Sequence, residues 1–197
     1  MKILNFGSLN IDYVYSVDHF VQKGETISSS QMNIFSGGKG LNQSVALGRA
    51  GAKVFHAGRI GKDGEFLVEQ LKEAGVNTDL VVVDEDCSTG HAIIQNDAEG
   101  DNCILLYGGA NQRITKEQID AALEQFDAGD YLVLQNEISN LPYLMEKAAE
   151  KQMKIVLNPS PMDEKIKALP LDKVTLFFVN EIEAAQILGQ KELESTE

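Results

Sequence analysis

Hydrophobic and polar positions follow two different periods along this chain. Short apolar-rich runs at 2–7, 53–58, 80–83, 130–135, 154–158 and 174–179 predict strands. Tyr131-Leu132-Val133-Leu134 and Leu176-Phe177-Phe178-Val179 lack alternation, as strands covered on both faces do, and this points to a buried parallel sheet. Between these runs, 39–50, 64–74, 115–126, 141–151 and 181–188 carry helical patterns. In the third, Ile119, Ala122, Leu123 and Phe126 repeat at i, i+3, i+4 and i+7 behind a Thr115/Gln118 capping box. In the second, Leu67, Leu71 and Ala74 share a face, and Gly75 suits the position after the last turn. Strand and helix alternating through short connections predict a three-layer α/β/α, doubly wound fold with a mainly parallel sheet.

Two stretches break the alternation. Residues 13–35 hold Tyr13-Val14-Tyr15-Ser16-Val17, a turn near Lys23-Gly24 and a second extended run from Ser30. Residues 89–107 read as a β-hairpin around Asn96–Asp101. Together they predict a small β-sheet lid on a core formed by 1–12, 36–88 and 108–197. One face of such a sheet needs burial by a ligand or by another subunit.

Composition narrows the function. With 197 residues, 43% of them hydrophobic, the chain can bury a sizeable core. Its 17 Lys and Arg against 30 Asp and Glu give a formal charge of −13, which disfavours nucleic acid and anionic membranes as partners. There is no apolar run of transmembrane length, and Met1–Phe6 turns polar too soon for a secretory signal, so a cytoplasmic location is expected. Cys87 and Cys103 stand apart from any CxxC or Cys/His cluster, arguing for neither a disulfide framework nor a zinc site.

The chemistry concentrates in four places. Phe35-Ser36-Gly37-Gly38-Lys39-Gly40-Leu41-Asn42-Gln43 puts three glycines, Lys39 and Asn42 at a predicted helix start, where free N–H groups favour acceptor oxygens. A plain glycine-rich turn is the competing explanation, and the spacing excludes a Walker loop. Gly7-Ser8-Leu9-Asn10-Ile11-Asp12 follows the first strand; Asn10 and Asp12, two apart in extended chain, project to one side and suit vicinal hydroxyls, although an Asx-turn is the commoner fate of such a pair. Glu137 follows the fourth core strand, where open α/β sheets bind ligands, and reads equally as a loop glutamate. Asn180 and Glu183 open the last helix as a capping box, or alternatively organise phosphate, water and Mg²⁺. His19, His56 and His91 accompany no nucleophile pattern.

In order, GSLNID, FSGGKGLNQSVALGRAG, STGHAII, GGAN, LQNE, LNPSP and VNEIEA resemble the ribokinase branch of the PfkB carbohydrate kinase family. The resemblance runs from residue 3 to about residue 189. It implies a Rossmann-like core with a β-sheet lid that often pairs in a homodimer, and transfer of the ATP γ-phosphoryl group to a sugar hydroxyl. Ribose is the implied sugar, because the GGKGxNQ form and the STG…GGAN segment look most like ribokinases. Residue by residue, the resemblance makes Asn10, Asp12, Gly38, Lys39, Asn42 and Glu137 sugar ligands. It puts Asn180 and Glu183 beside the nucleotide phosphates, with Glu183 in indirect contact with Mg²⁺.

The family's Gly-Ala-Gly-Asp segment, which carries the anion hole, the general-base Asp and the neighbourhood of any K⁺ site, has no counterpart here. Ala128-Gly129-Asp130 lacks the first glycine and leads into a strand. The expectation is a substrate-binding portion, with the C-terminal part of the fold missing, that is inactive alone and prone to association. A non-catalytic sugar-binding module and a PfkB kinase for fructose or a nucleoside are the alternatives.

Overall fold

The computed structural model describes residues 1–190. Six strands form one parallel sheet: β1 (Ile3–Phe6), β4 (Val54–Gly61), β5 (Asn77–Asp84), β8 (Tyr131–Gln135), β9 (Lys154–Asn158) and β10 (Val174–Phe177), in the order β10-β9-β8-β1-β4-β5. The connecting helices are α1 (Lys39–Arg49), α2 (Glu65–Glu73), α3 (Lys116–Leu123), α4 (Leu141–Glu150) and α5 (Glu181–Ile187). The crossovers split between the two faces. Leu41, Val45, Leu67 and Leu71 of α1 and α2 bury one face with Val54 and Ile60. Ile119, Ala122, Leu144 and Met145 of α3 and α4 bury the other with Leu4, Phe6, Leu132 and Leu134. This is the predicted three-layer α/β/α architecture. Residues 191–197, which the expected core includes, lie outside the described residues.

A second, mixed sheet of four strands stands on the first: β2 (Asn10–Ser16), β3 (Gln31–Gly37), β6 (Gly90–Asn96) and β7 (Asn102–Tyr107), in the order β3-β2-β6-β7. β2 pairs antiparallel with β3 and parallel with β6, and β6 pairs antiparallel with β7. In this register Asp12 lies opposite Ala92 and Val14 opposite Ile94, while Leu106 and Ile104 continue the same rows on β7. Side chains alternate between faces, so this set covers one side of the small sheet. The other side carries Tyr13, Tyr15, Met32, Ile34, Ile93, Leu105 and Tyr107, the last five of them exposed. The sheet therefore has an apolar surface both toward the core and away from it.

Local details follow the sequence with informative exceptions. Thr115 caps α3 by accepting from Gln118 N–H at 3.2 Å. Its expected partner is engaged elsewhere: the Gln118 side chain donates to Gly58 C=O at 2.8 Å and accepts from Arg59 at 3.2 Å, tying α3 to β4. Asp130 sits at the start of β8, at the end of the sheet away from the C-terminal strand ends. Burial acts to raise its pKa, but hydrogen bonds from Lys2 N–H at 2.7 Å and Asp127 N–H, with the Lys2 ammonium, hold it below the ordinary carboxylate range. It anchors the chain's beginning.

Candidate functional site

The inner face of the small sheet, the start of α1 and the turn after β8 line a cleft of about 290 Å³. Asn10, Asp12, Gly38, Lys39, Asn42 and Glu137 all line it, with Ala92, Ile94, Ile104, Leu106 and Pro161. All six residues anticipated as sugar ligands thus meet in one place. A larger groove of about 520 Å³ beside α5, lined by residues including Met162, Ile166, Leu171 and Ile187, contains none of them. Chemistry, rather than size, singles out the smaller cleft.

Asn10 and Asp12 reach the cleft from β2, a strand of the small sheet, and not from the core strand that precedes them. Asn10 is buried and its Oδ1 accepts from Asn111 Nδ2 at 2.7 Å. Asp12 is half-buried and makes no side-chain hydrogen bond among the described residues. Desolvation, then the neighbouring negative charge of Glu137, raises its pKa above the ordinary carboxylate value. Its carboxylate is thus an acceptor on the wall of a polar cleft, able to take a hydrogen bond from a hydroxyl.

The start of α1 is built by distant parts of the chain. Gly38, at the N-cap, has φ +94°, which only glycine adopts without strain, and it supplies no capping side chain. Glu137 takes that role. Its Oε2 accepts from Lys39 N–H at 2.9 Å and from the Ser8 hydroxyl, and its Oε1 accepts from the Lys39 ammonium at 3.2 Å. Ser8 Oγ in turn accepts from Gly40 N–H at 3.2 Å. A carboxylate against the first turn of a helix is favoured by the helix dipole as well as by these donors. Gly40 allows the approach: a Cβ there would overlap the backbone of Gly7 and Ser8.

Beneath this turn runs a buried polar chain. Gln135 Nε2 donates to Gln43 Oε1 at 2.7 Å and Asn5 Oδ1 at 3.0 Å; Asn5 Nδ2 donates to Gly40 C=O and Ser44 Oγ, both at 2.8 Å; Ser44 Oγ lies 2.7 Å from His56 Nδ1. Desolvation lowers the His56 pKa to about 4, so the ring is neutral at physiological pH. This network fixes α1 against β1, β4 and β8.

Asn180 and Glu183 lie outside the cleft lining. Their capping box is complete: Asn180 Oδ1 accepts from Glu183 N–H at 2.8 Å, and Glu183 Oε2 accepts from Asn180 N–H at 3.0 Å. Glu183 Oε1 also accepts from Ser160 Oγ at 2.7 Å, and the next residue, Pro161, borders the cleft. Ser8 and Asn111 escaped the sequence reading as site residues, although both stand in quoted motifs, GSLNID and GGAN.

The chain matches the pfkB family carbohydrate kinase profile over residues 1–197. It belongs to that family. Among its PfkB relatives, the ribokinase of Staphylococcus aureus is 35% identical over 199 residues, which cover 96% of this chain and 64% of that protein. The structure of Arabidopsis thaliana ribokinase complexed with ribose and ATP superposes with a TM-score of 0.84 at 27% identity, covering 98% of this chain and 64% of that one. Cryptococcus neoformans ribokinase in complex with ADP gives 0.82 at 36% identity over 95% of this chain and 59% of that one. The chain therefore spans somewhat less than two thirds of the length of these three PfkB proteins.

Proposed function

We propose that this chain carries the sugar-binding part of a ribokinase-type sugar kinase, whose whole reaction converts D-ribose and ATP to D-ribose 5-phosphate and ADP. One observation carries the reading: the six residues assigned by motif come from three separated segments and line a single cleft. The cleft combines polar groups on one side with an apolar wall of Ala92, Ile94, Ile104 and Leu106 on the other. That suits a small sugar, whose hydroxyls need partners and whose C–H surface needs cover. Similarity to ribokinases of known structure supports the same choice of substrate.

In this reading Asp12 accepts from a sugar hydroxyl and Asn10 and Asn42 flank it. The Glu137-capped helix start holds Lys39 and Gly38 against the ligand. In the transfer step the sugar C5 oxygen forms a bond to the γ-phosphorus as the bond to the ADP oxygen breaks, and the hydroxyl proton passes to a base. Positioning and electrostatics supply most of the rate in such transfers. Mg²⁺, when bound with ATP, offsets phosphate charge. Both Glu183 oxygens already accept hydrogen bonds, so its fit is to a water-mediated contact with the ion, with Asn180 shaping the same turn. The outward apolar face of the small sheet, with Leu105 67% exposed, is covered by a second copy of the chain.

Calorimetry with D-ribose, with and without Mg·ATP, tests the reading. Saturable D-ribose binding that exceeds binding of fructose or a nucleoside is expected. Absence of D-ribose binding, or tighter binding of the other two, overturns it.

A further inference from the structure

Asn111 lies in the 3₁₀ turn Gly109–Arg113 that follows β7, where the chain leaves the small sheet, and it is 2% exposed. Its carboxamide reaches back to the point where the chain enters that sheet. Oδ1 accepts from Leu9 N–H at 3.0 Å, while Nδ2 donates to Leu9 C=O at 3.1 Å and to Asn10 Oδ1 at 2.7 Å. The third crossing point is included as well. At Gly90, the first residue of β6, a Cβ would overlap both Asn111 Nδ2 and Asn10 Oδ1.

These contacts determine an orientation. A backbone N–H only donates and a backbone C=O only accepts, so Leu9 settles which end of the Asn111 amide faces which way. The Asn111 NH₂ group then faces Asn10 and requires an acceptor there. Asn10 meets it with Oδ1, which leaves Asn10 Nδ2 without a hydrogen bond to protein among the described residues.

We propose that Asn111 is a positioning residue that commits Asn10 to donating into the cleft. Beside the acceptor Asp12, the cleft then offers a donor and acceptor matched to one hydroxyl, which accepts from Asn10 and donates to Asp12. The same three hydrogen bonds clasp the base of the small sheet, so the ligand's partner and the sheet's attachment are held by one side chain. This inference rests on the sugar-binding reading above.

A double-substitution cycle measured by calorimetry with D-ribose tests it. Asn111→Asp keeps an acceptor for Leu9 N–H but turns an oxygen toward Asn10, so the Asn10 amide must reverse. The expected result is a loss of D-ribose affinity of about 10-fold in the wild-type background. In an Asn10→Ala background the same substitution changes affinity by less than about 2-fold, because its target is gone. Equal losses in both backgrounds overturn the proposal. Should Asn111→Asp fail to fold, Asn111→Ser replaces it in the cycle.

A wild-type chain that binds no D-ribose breaks the sugar reading instead, and the clasp is then judged by amide hydrogen exchange. Asn111→Ala should speed exchange of Leu9 N–H by about 10-fold or more relative to the β8 and β9 amides. Unchanged Leu9 protection overturns the clasp.

Discussion

Two helix starts in this molecule, those of α5 and α1, are held in opposite ways. α5 is self-contained: Asn180 and Glu183, three residues apart, satisfy each other's backbone donors. α1 opens with Gly38, which has no side chain to offer, and its first N–H is accepted by Glu137, 98 residues further along. A local cap stabilises its own helix and little else. A cap supplied from a distant turn makes the helix start a junction, and here the junction borders the cleft.

The sharpest test of this contrast removes the distant cap. Glu137→Ala leaves Lys39 N–H, the Ser8 hydroxyl and the Lys39 ammonium without their acceptor, and should cost about 3–4 kcal/mol in denaturant unfolding. D-ribose binding should be lost with it, while Glu137→Gln, which keeps one acceptor oxygen, should lose less of both. A variant that unfolds like the wild type would place the support of α1 elsewhere.

The buried network under α1 gives the next largest effect, read as acid sensitivity. His56 is depressed to about 4, so between its unfolded value near 6.5 and about pH 4 the unfolded chain binds a proton that the native chain does not. Stability from this group is complete above about pH 6.5 and falls by about 3 kcal/mol as pH drops through that window. Unfolding free energies from pH 7 to 4 should show this slope, and His56→Asn should flatten it.

Asn180→Ala should cost only about 1 kcal/mol, the usual value of an N-cap. Its D-ribose affinity should match the wild type, because Asn180 does not line the cleft. A large loss of sugar binding would erase the contrast between the two helix starts.

The smallest effect has the least familiar sign. The Asp12 pKa is raised, so its ionised form is disfavoured in the folded chain, and that penalty is relieved as pH falls through the raised value. Asp12→Asn should therefore raise the melting temperature slightly, by thermal denaturation at pH 7, while weakening D-ribose binding. As pH falls through the raised value, wild-type binding should weaken at a higher pH than an ordinary carboxylate would dictate. A variant that melts lower would assign Asp12 a structural role.

The same distinction between local and distant partners explains what was legible in the sequence. Periodicity and caps are local, and the predicted strands and helices match the observed elements to within a few residues; the α5 capping box is complete. Motif order also marked the residues that line the cleft. Thr115 and Gln118 show where local logic stops: Thr115 caps α3, but Gln118 reaches β4 because a nearby strand offers a buried carbonyl. Asn10 and Asp12 look like the end of a core strand because nothing in GSLNID says that the backbone leaves the core sheet at Leu9. Ser8 and Asn111 were visible as letters in motifs, yet their partners lie 129 and 101 residues away, a pairing that no periodicity encodes.

The Glu137 cap also sets an order of assembly. While the chain emerges N-terminus first, Lys39 N–H and Ser8 have no permanent acceptor until β8 and the turn after it have been made. The first turn of α1 can therefore acquire its finished cap only after residue 137 has been made, and the cleft is not complete before then.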